Sequence, residues 1–101
     1  SKSESSTPIS LGKIKIDVKS RTVTISNNPI ELTFKEFELL LLLIQNKGNV
    51  LTREFLLDKI WNTSPDIESR TVDMHIKTLR KKLEAEGNRI VTVRNVGYKA
   101  V

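Results

Sequence analysis

Arg70, Lys77, Arg80, Lys81, Lys82, Arg89, Arg94 and Lys99 crowd eight cationic side chains into residues 70–101, against three acids, Asp73, Glu84 and Glu86. That stretch carries a net charge of +5, while residues 1–69 set nine bases against nine acids. A basic excess confined to one compact stretch is the footprint of a surface that binds a polyanion. Other chemistries lack their parts. His75 is the single histidine and there is no cysteine, so a His/Cys metal cluster cannot be assembled. The carboxylates are scattered, with no convergent acid/base pair. An enzyme is not expected, nor are a cofactor or a metal.

The spacing within 70–83 sharpens the reading. At about 100° per residue, Val72, Ile76, Leu79 and Leu83 fall on one narrow stripe, the core side. Arg70, Met74, Lys77, Thr78 and Lys81 fall opposite, with Thr71, His75 and Lys82 on one flank and Asp73 and Arg80 on the other. Met74 is apolar amid charge, where water gives it little; against a thymine methyl in a major groove it would gain a partner. Asp73 stands four residues before Lys77, a spacing that can pair them on a helix. Downstream, Ile90 to Val93 and Tyr98 to Val101 flank Arg94-Asn95-Val96-Gly97, a hairpin whose Asn95 and Gly97 tolerate positive φ. A guanidinium at Arg94 could enter a narrow A·T-rich minor groove. Helix plus basic hairpin points to DNA.

The remaining elements must position that surface. Ile14, Ile16 and Val18 alternate with polar residues and Thr22 to Ile25 repeats the period of two, with turns at 19–21 and 26–29; Leu11 to Leu32 reads as an antiparallel meander. Thr33 with Glu36 forms a capping box ahead of a core-facing run, Phe37, Leu40, Leu41 and Ile44, in a helix wrapped by the fold and ended near Gly48. Thr52 caps a second helix whose buried side is Leu56, Leu57, Ile60 and Trp61. Residues 62–68 form a loop, and Ser69 caps the third helix, which runs to about Glu86 before Gly87-Asn88. At 101 residues the chain suffices for one domain. Residues 1–10, Ser-rich and aperiodic, are expected to be a disordered linker remnant, leaving 11–101 as the domain. The longest apolar run, Leu39 to Ile44, is far short of the ~20 residues that span a bilayer.

Taken together, Arg70-Thr71-Val72-Asp73-Met74-His75-Ile76, Leu79-Arg80-Lys81-Lys82-Leu83, Thr92-Val93-Arg94 and Gly97-Tyr98 resemble the output domain of bacterial OmpR/PhoB-type response regulators. Glu31-Leu32-Thr33, Glu36-Phe37, Leu39-Leu40, Thr52-Arg53-Glu54 and Trp61 match its earlier parts. The resemblance covers about Leu11 to Val101. It implies an α+β winged helix-turn-helix with an N-terminal antiparallel sheet, three helices and a C-terminal hairpin wing. It implies sequence-specific binding of double-stranded DNA for transcription regulation in a cytoplasmic two-component phosphorelay, with the receiver domain outside this chain. By position it assigns base or groove contacts to Thr71, Met74, His75, Lys77, Thr78 and Arg94, and phosphate contacts to Trp61, Arg70, Thr92 and Tyr98. It further implies RNA polymerase as a partner of loop 62–68 and a second copy in tandem on direct-repeat half-sites. Asn95 replaces the glycine usual after the wing arginine, and Thr78 stands where relatives often carry a base, so base preference is not carried over. Trp61 reads as core first and phosphate contact second. His75 reads equally as a groove contact or as a flank residue packed on a neighbour. The runner-up functions are a winged helix docking an acidic protein and, third, an RNA-binding domain, for which exposed stacking aromatics are scarce.

Overall fold

The computed structural model describes residues 9–61 and 70–101. Four strands, β1 (Ile9–Leu11), β2 (Ile14–Asp17), β3 (Thr22–Ile25) and β4 (Asn28–Ile30), form an antiparallel sheet in sequence order. Because side chains alternate along a strand, the register places Ile9, Ile16, Val23 and Ile30 in one aliphatic row across all four strands. That face joins the core. Three expectations shift here. Ile9 and Ser10 belong to β1 and not to the expected linker, whose residues 1–8 lie outside the described residues. Val18 lies exposed, because β2 ends at Asp17, whose carboxylate accepts the amides of Lys19 and Ser20 at 3.1 and 3.4 Å and turns the chain. Asn28 and Pro29 are strand, since Ser26 and Asn27, at φ 51° and 70°, complete the two-residue turn alone. Pro29 is tolerated because β4 is an edge.

Helix α1 (Phe34–Gln45) starts at the capping box read from the sequence. Thr33 Oγ1 accepts the Glu36 amide at 3.2 Å, and Glu36 Oε1 accepts the Thr33 amide at 2.9 Å. Its buried side is Phe37, Leu39, Leu40, Leu43 and Ile44, while Leu41 is only half-buried. Arg21, at the β2–β3 turn, ties the sheet to this helix by lying 4.3 Å over the Phe37 ring and pairing with Glu38 at 2.8 Å. The helix is capped by Asn46, and Gly48, at φ 89°, instead sends its N–H to Ala100 O at 2.8 Å.

A two-residue strand, β5 (Leu51–Thr52), precedes α2 (Arg53–Trp61); Thr52 Oγ1 accepts the Phe55 amide at 3.0 Å, as a cap should. Leu56 and Ile60 are buried, and Leu57 and Trp61 pack at the core's margin. The expected loop 62–68 and the Ser69 cap lie outside the described residues. Helix α3 (Arg70–Leu83) ends three residues earlier than expected, because Glu84 turns left-handed at φ 56° and a 3-10 turn carries the chain to Arg89. Strands β6 (Ile90–Val93) and β7 (Gly97–Ala100) form the hairpin, and β7 also pairs with β5, giving the order β5-β7-β6. Asn95 takes the left-handed backbone, at φ 64°. Gly97 serves otherwise than expected: a Cβ there would lie 2.0 Å from Leu51 O, so glycine permits the close approach of β5.

Candidate nucleic-acid interface

Helix α3 presents the two faces that its spacing predicts. Val72, Ile76, Leu79 and Leu83 are fully buried, which fixes the helix's rotation against the core. Arg70, Met74, Lys77, Thr78 and Lys81 face outward, and Met74 is 63% exposed. An apolar side chain so placed contributes almost nothing to folding. Thr78 Oγ1 donates to Met74 O at 3.1 Å, so its hydroxyl oxygen is left to act as an acceptor on the exposed face.

The flanks are half-buried and heavily bonded. His75 Nδ1 lies 2.8 Å from Thr71 O. A carbonyl only accepts, so this nitrogen carries the proton. The imidazole meets the Trp61 ring edge-on, centroids 5.1 Å apart and planes at 72°. Packing on a neighbour is therefore established for His75, and Trp61 takes the core role read first for it, with Lys35 Nζ 5.3 Å above its ring. Thr71 sits half-buried on the same flank.

On the opposite flank, Asp73 does not pair with Lys77 as the spacing suggested. Its Oδ1 accepts Arg53 Nε at 2.9 Å from the start of α2 and the Tyr98 hydroxyl from β7. Tyr98, held by a buried ring, reaches the carboxylate with little further loss of freedom, and Arg53 adds a second, charged donor to the same oxygen. Burial opposes the charge on Asp73, but the Tyr98 hydroxyl and the Arg53 guanidinium outweigh it and hold its pKa below the ordinary aspartate value. Burial and the neighbouring Asp73 carboxylate raise the phenol pKa of Tyr98. The hydrogen bond to Asp73 does most to raise that of Arg53. Tyr98, assigned to phosphate by position, is 4% exposed with its hydroxyl donated to this carboxylate.

The wing is braced to α3 by Arg80, which spacing alone did not single out. Its Nε and Nη2 donate to Ile90 O at 3.0 and 2.6 Å, and Nη2 also donates to Thr92 Oγ1 at 2.7 Å. Thr92 is thus oriented by α3 while staying exposed. Arg94 is exposed where β6 enters the turn. At the far end of α3, Lys82 Nζ reaches Glu36 Oε1 at 2.7 Å; burial opposes the Glu36 charge, but Lys82 and Thr33 lower its pKa on balance. Arg53, Arg80 and this pair could not be read from spacing, because their partners lie 10 to 46 residues away. Among the described residues no group of three His, Cys, Asp or Glu could hold a metal, and no helix is long and apolar enough to cross a membrane.

Known proteins share this fold. The family model described as "Transcriptional regulatory protein, C terminal" matches residues 27–100. The sensory transduction protein RegX3 of Mycolicibacterium smegmatis is 42% identical over 91 residues, covering 87% of this chain and 40% of that protein. The crystal structure of the Thermotoga maritima response regulator DrrB, an OmpR/PhoB homologue, superimposes with a TM-score of 0.83 at 40% identity, over 93% of this chain and 44% of that one. The Klebsiella pneumoniae RstA DNA-binding domain, solved in complex with the RstA box, gives a TM-score of 0.83 at 35% identity, over 93% and 96% of the two chains. The chain thus spans less than half the length of the curated relative and of the full regulator it matches. With the family model matched over residues 27–100 and these relatives at 35–42% identity, the chain belongs to the OmpR/PhoB-type family of transcriptional regulatory C-terminal domains, and its fold is the winged helix-turn-helix.

Proposed function

We propose that this domain binds double-stranded DNA sequence-specifically to regulate transcription, as the output domain of a two-component response regulator in the bacterial cytoplasm. The observation that carries the reading is the exposed face of α3, with Met74, Lys77, Thr78 and Lys81 set opposite a fully buried aliphatic stripe and beside a braced wing. The solved complex of the similar RstA domain with its DNA box supports it. In this reading α3 enters the major groove, where Thr71, Met74, His75, Lys77 and Thr78 meet base edges or groove walls. Arg94 enters the minor groove, and Trp61, Arg70, Thr92 and Tyr98 serve the phosphates. For Tyr98 to do so, its ring edge or a rotated hydroxyl must reach past Asp73.

Two copies bind direct repeats in tandem, centred about 10 bp apart so that both lie on one face of the duplex. Residues 62–68 meet RNA polymerase. Arg94→Ala tests the wing: affinity should fall more for A·T-flanked than for G·C-flanked sites, and the salt slope should shrink by about one. Equal losses on both flanks would leave Arg94 a phosphate contact only. Inserting about five base pairs between half-sites should abolish cooperativity, because it turns the second copy to the opposite face. A salt titration against hairpin RNA and an acidic protein excludes the competing ligand classes if duplex DNA binds tightest.

A further inference from the structure

One carboxylate oxygen joins all three parts of the DNA-facing surface. Asp73 Oδ1, on α3 one residue before Met74, receives the Arg53 guanidinium from α2 and the Tyr98 hydroxyl from the wing. Arg53 and Arg80 each lie 5.7 Å from the Tyr98 ring centroid, so the phenol has two cations beside it as well as a hydrogen bond. Arg53 also shares a cleft of about 380 Å³ with Asn95 and Val96 of the wing tip, next in sequence to Arg94. On the DNA-binding reading above, a guanidinium lining that cleft beside the wing tip is available to a phosphate.

We propose that Asp73 is a positioning residue that sets the ratio of specific to non-specific DNA binding. It acts in two ways. By tying Tyr98 to α3 it fixes how far Met74 and Lys77 stand from the wing, and so whether base edges and the minor groove can be engaged together. By holding Arg53 it keeps a cation that would attach to any phosphate from strengthening binding to every sequence alike. Removing the carboxylate should therefore loosen readout while adding sequence-independent attraction. The inference rests on the DNA-binding reading above.

The test uses the 101-residue chain, a duplex obtained by in-vitro selection and a scrambled duplex, each titrated across salt. Asp73→Ala should lower the specific-to-scrambled affinity ratio about tenfold, while affinity for the scrambled duplex stays level or tightens. The salt slope on the scrambled duplex should steepen by about one, the signature of one additional phosphate contact. Combining Arg53→Met with Asp73→Ala should return that slope to the wild-type value. Tyr98→Phe, which removes a single hydroxyl and keeps the Arg53 pair, should lower the ratio without changing the slope. Parallel loss of both affinities with melting temperature would make Asp73 a packing residue and overturn the proposal, as would an unchanged ratio or a slope that stays steep in the double variant. If the wild-type chain binds neither duplex, the DNA-binding reading itself fails; if it binds and Asp73→Ala keeps the ratio, only this inference does.

Discussion

The two ends of α3 are both held by an ion pair, and they are held differently. Near the C-terminal end, Lys82 reaches inward to Glu36, whose side chain is 3% exposed and which simultaneously caps α1. At the N-terminal end, Asp73 keeps 44% of its side chain in water while binding Arg53 and Tyr98. The Glu36 carboxylate is sealed from solvent and is stranded if Lys82 is lost, whereas Lys82 is half in water, so this pair bears on folding through its carboxylate. A pair left wet contributes little to folding and can instead govern where neighbouring groups point. Charge is thus used for anchorage at one end of the helix and for aim at the other.

The contrast can be broken most forcefully at Glu36. Glu36→Ala removes the Lys82 partner and half of the capping box, and should cost about 2–4 kcal/mol, the lower part of that range applying because Lys82 is itself 35% exposed and can turn to water. Urea denaturation measures it, and a loss well below 1 kcal/mol would erase the distinction between the ends. DNA specificity measured on the folded fraction should be unchanged.

Acid sharpens the same comparison with a smaller effect. Glu36, Asp73 and Glu86 all have folded pKa values below their ordinary ones, Glu86 chiefly through the hydrogen bond from Arg89. The unfolded chain therefore binds protons more readily than the folded one, so this stabilisation is complete above the ordinary values of 4.5 for Glu and 3.8 for Asp. It is lost as pH falls through the lowered folded values. Urea midpoints should stay level from neutrality down to about pH 5 and then drop, and Glu36→Gln should flatten part of the drop. The smallest effect on stability belongs to Met74→Ser, within about 0.5 kcal/mol of wild type because the side chain is already in water. Its effect should appear in base selection, as loss of thymine preference at one position by at most ~1–3 kcal/mol. Superimposable selection profiles would remove Met74 from base readout.

What could be read in the chain follows the reach of each interaction. The Thr33–Glu36 cap and the Val72–Ile76–Leu79–Leu83 stripe are encoded at spacings of three and four, so the sequence carries them openly. The stop at Glu84 is hidden, because nothing in a glutamate announces a left-handed backbone and Gly87 offered a more obvious end. Asp73 misled for a related reason: Lys77 is near in sequence, but Arg53 and Tyr98, 20 and 25 residues away, are nearer in space. At Gly97 the turn suggests positive φ, whereas the cause is crowding by β5, a strand two residues long that leaves no periodic trace. The outward face of α3 was legible as a surface. How its flanks are bound was not.

Strand β5 also dictates when the wing can form during folding. The hairpin of β6 and β7 closes a short loop and can zip early, within microseconds. Its fastening to the body needs Leu51 to meet Tyr98 and Thr52 to meet Gly97. Those encounters close a long stretch of chain that contains α2 and α3, and their entropic cost falls before any packing repays it. Docking of the wing is therefore expected to be a late event, and opening it requires undoing the β5–β7 pairing. Amides of β7 facing β5 should exchange with solvent only through near-global unfolding, whereas those at the turn of residues 94–96 should exchange by local fraying.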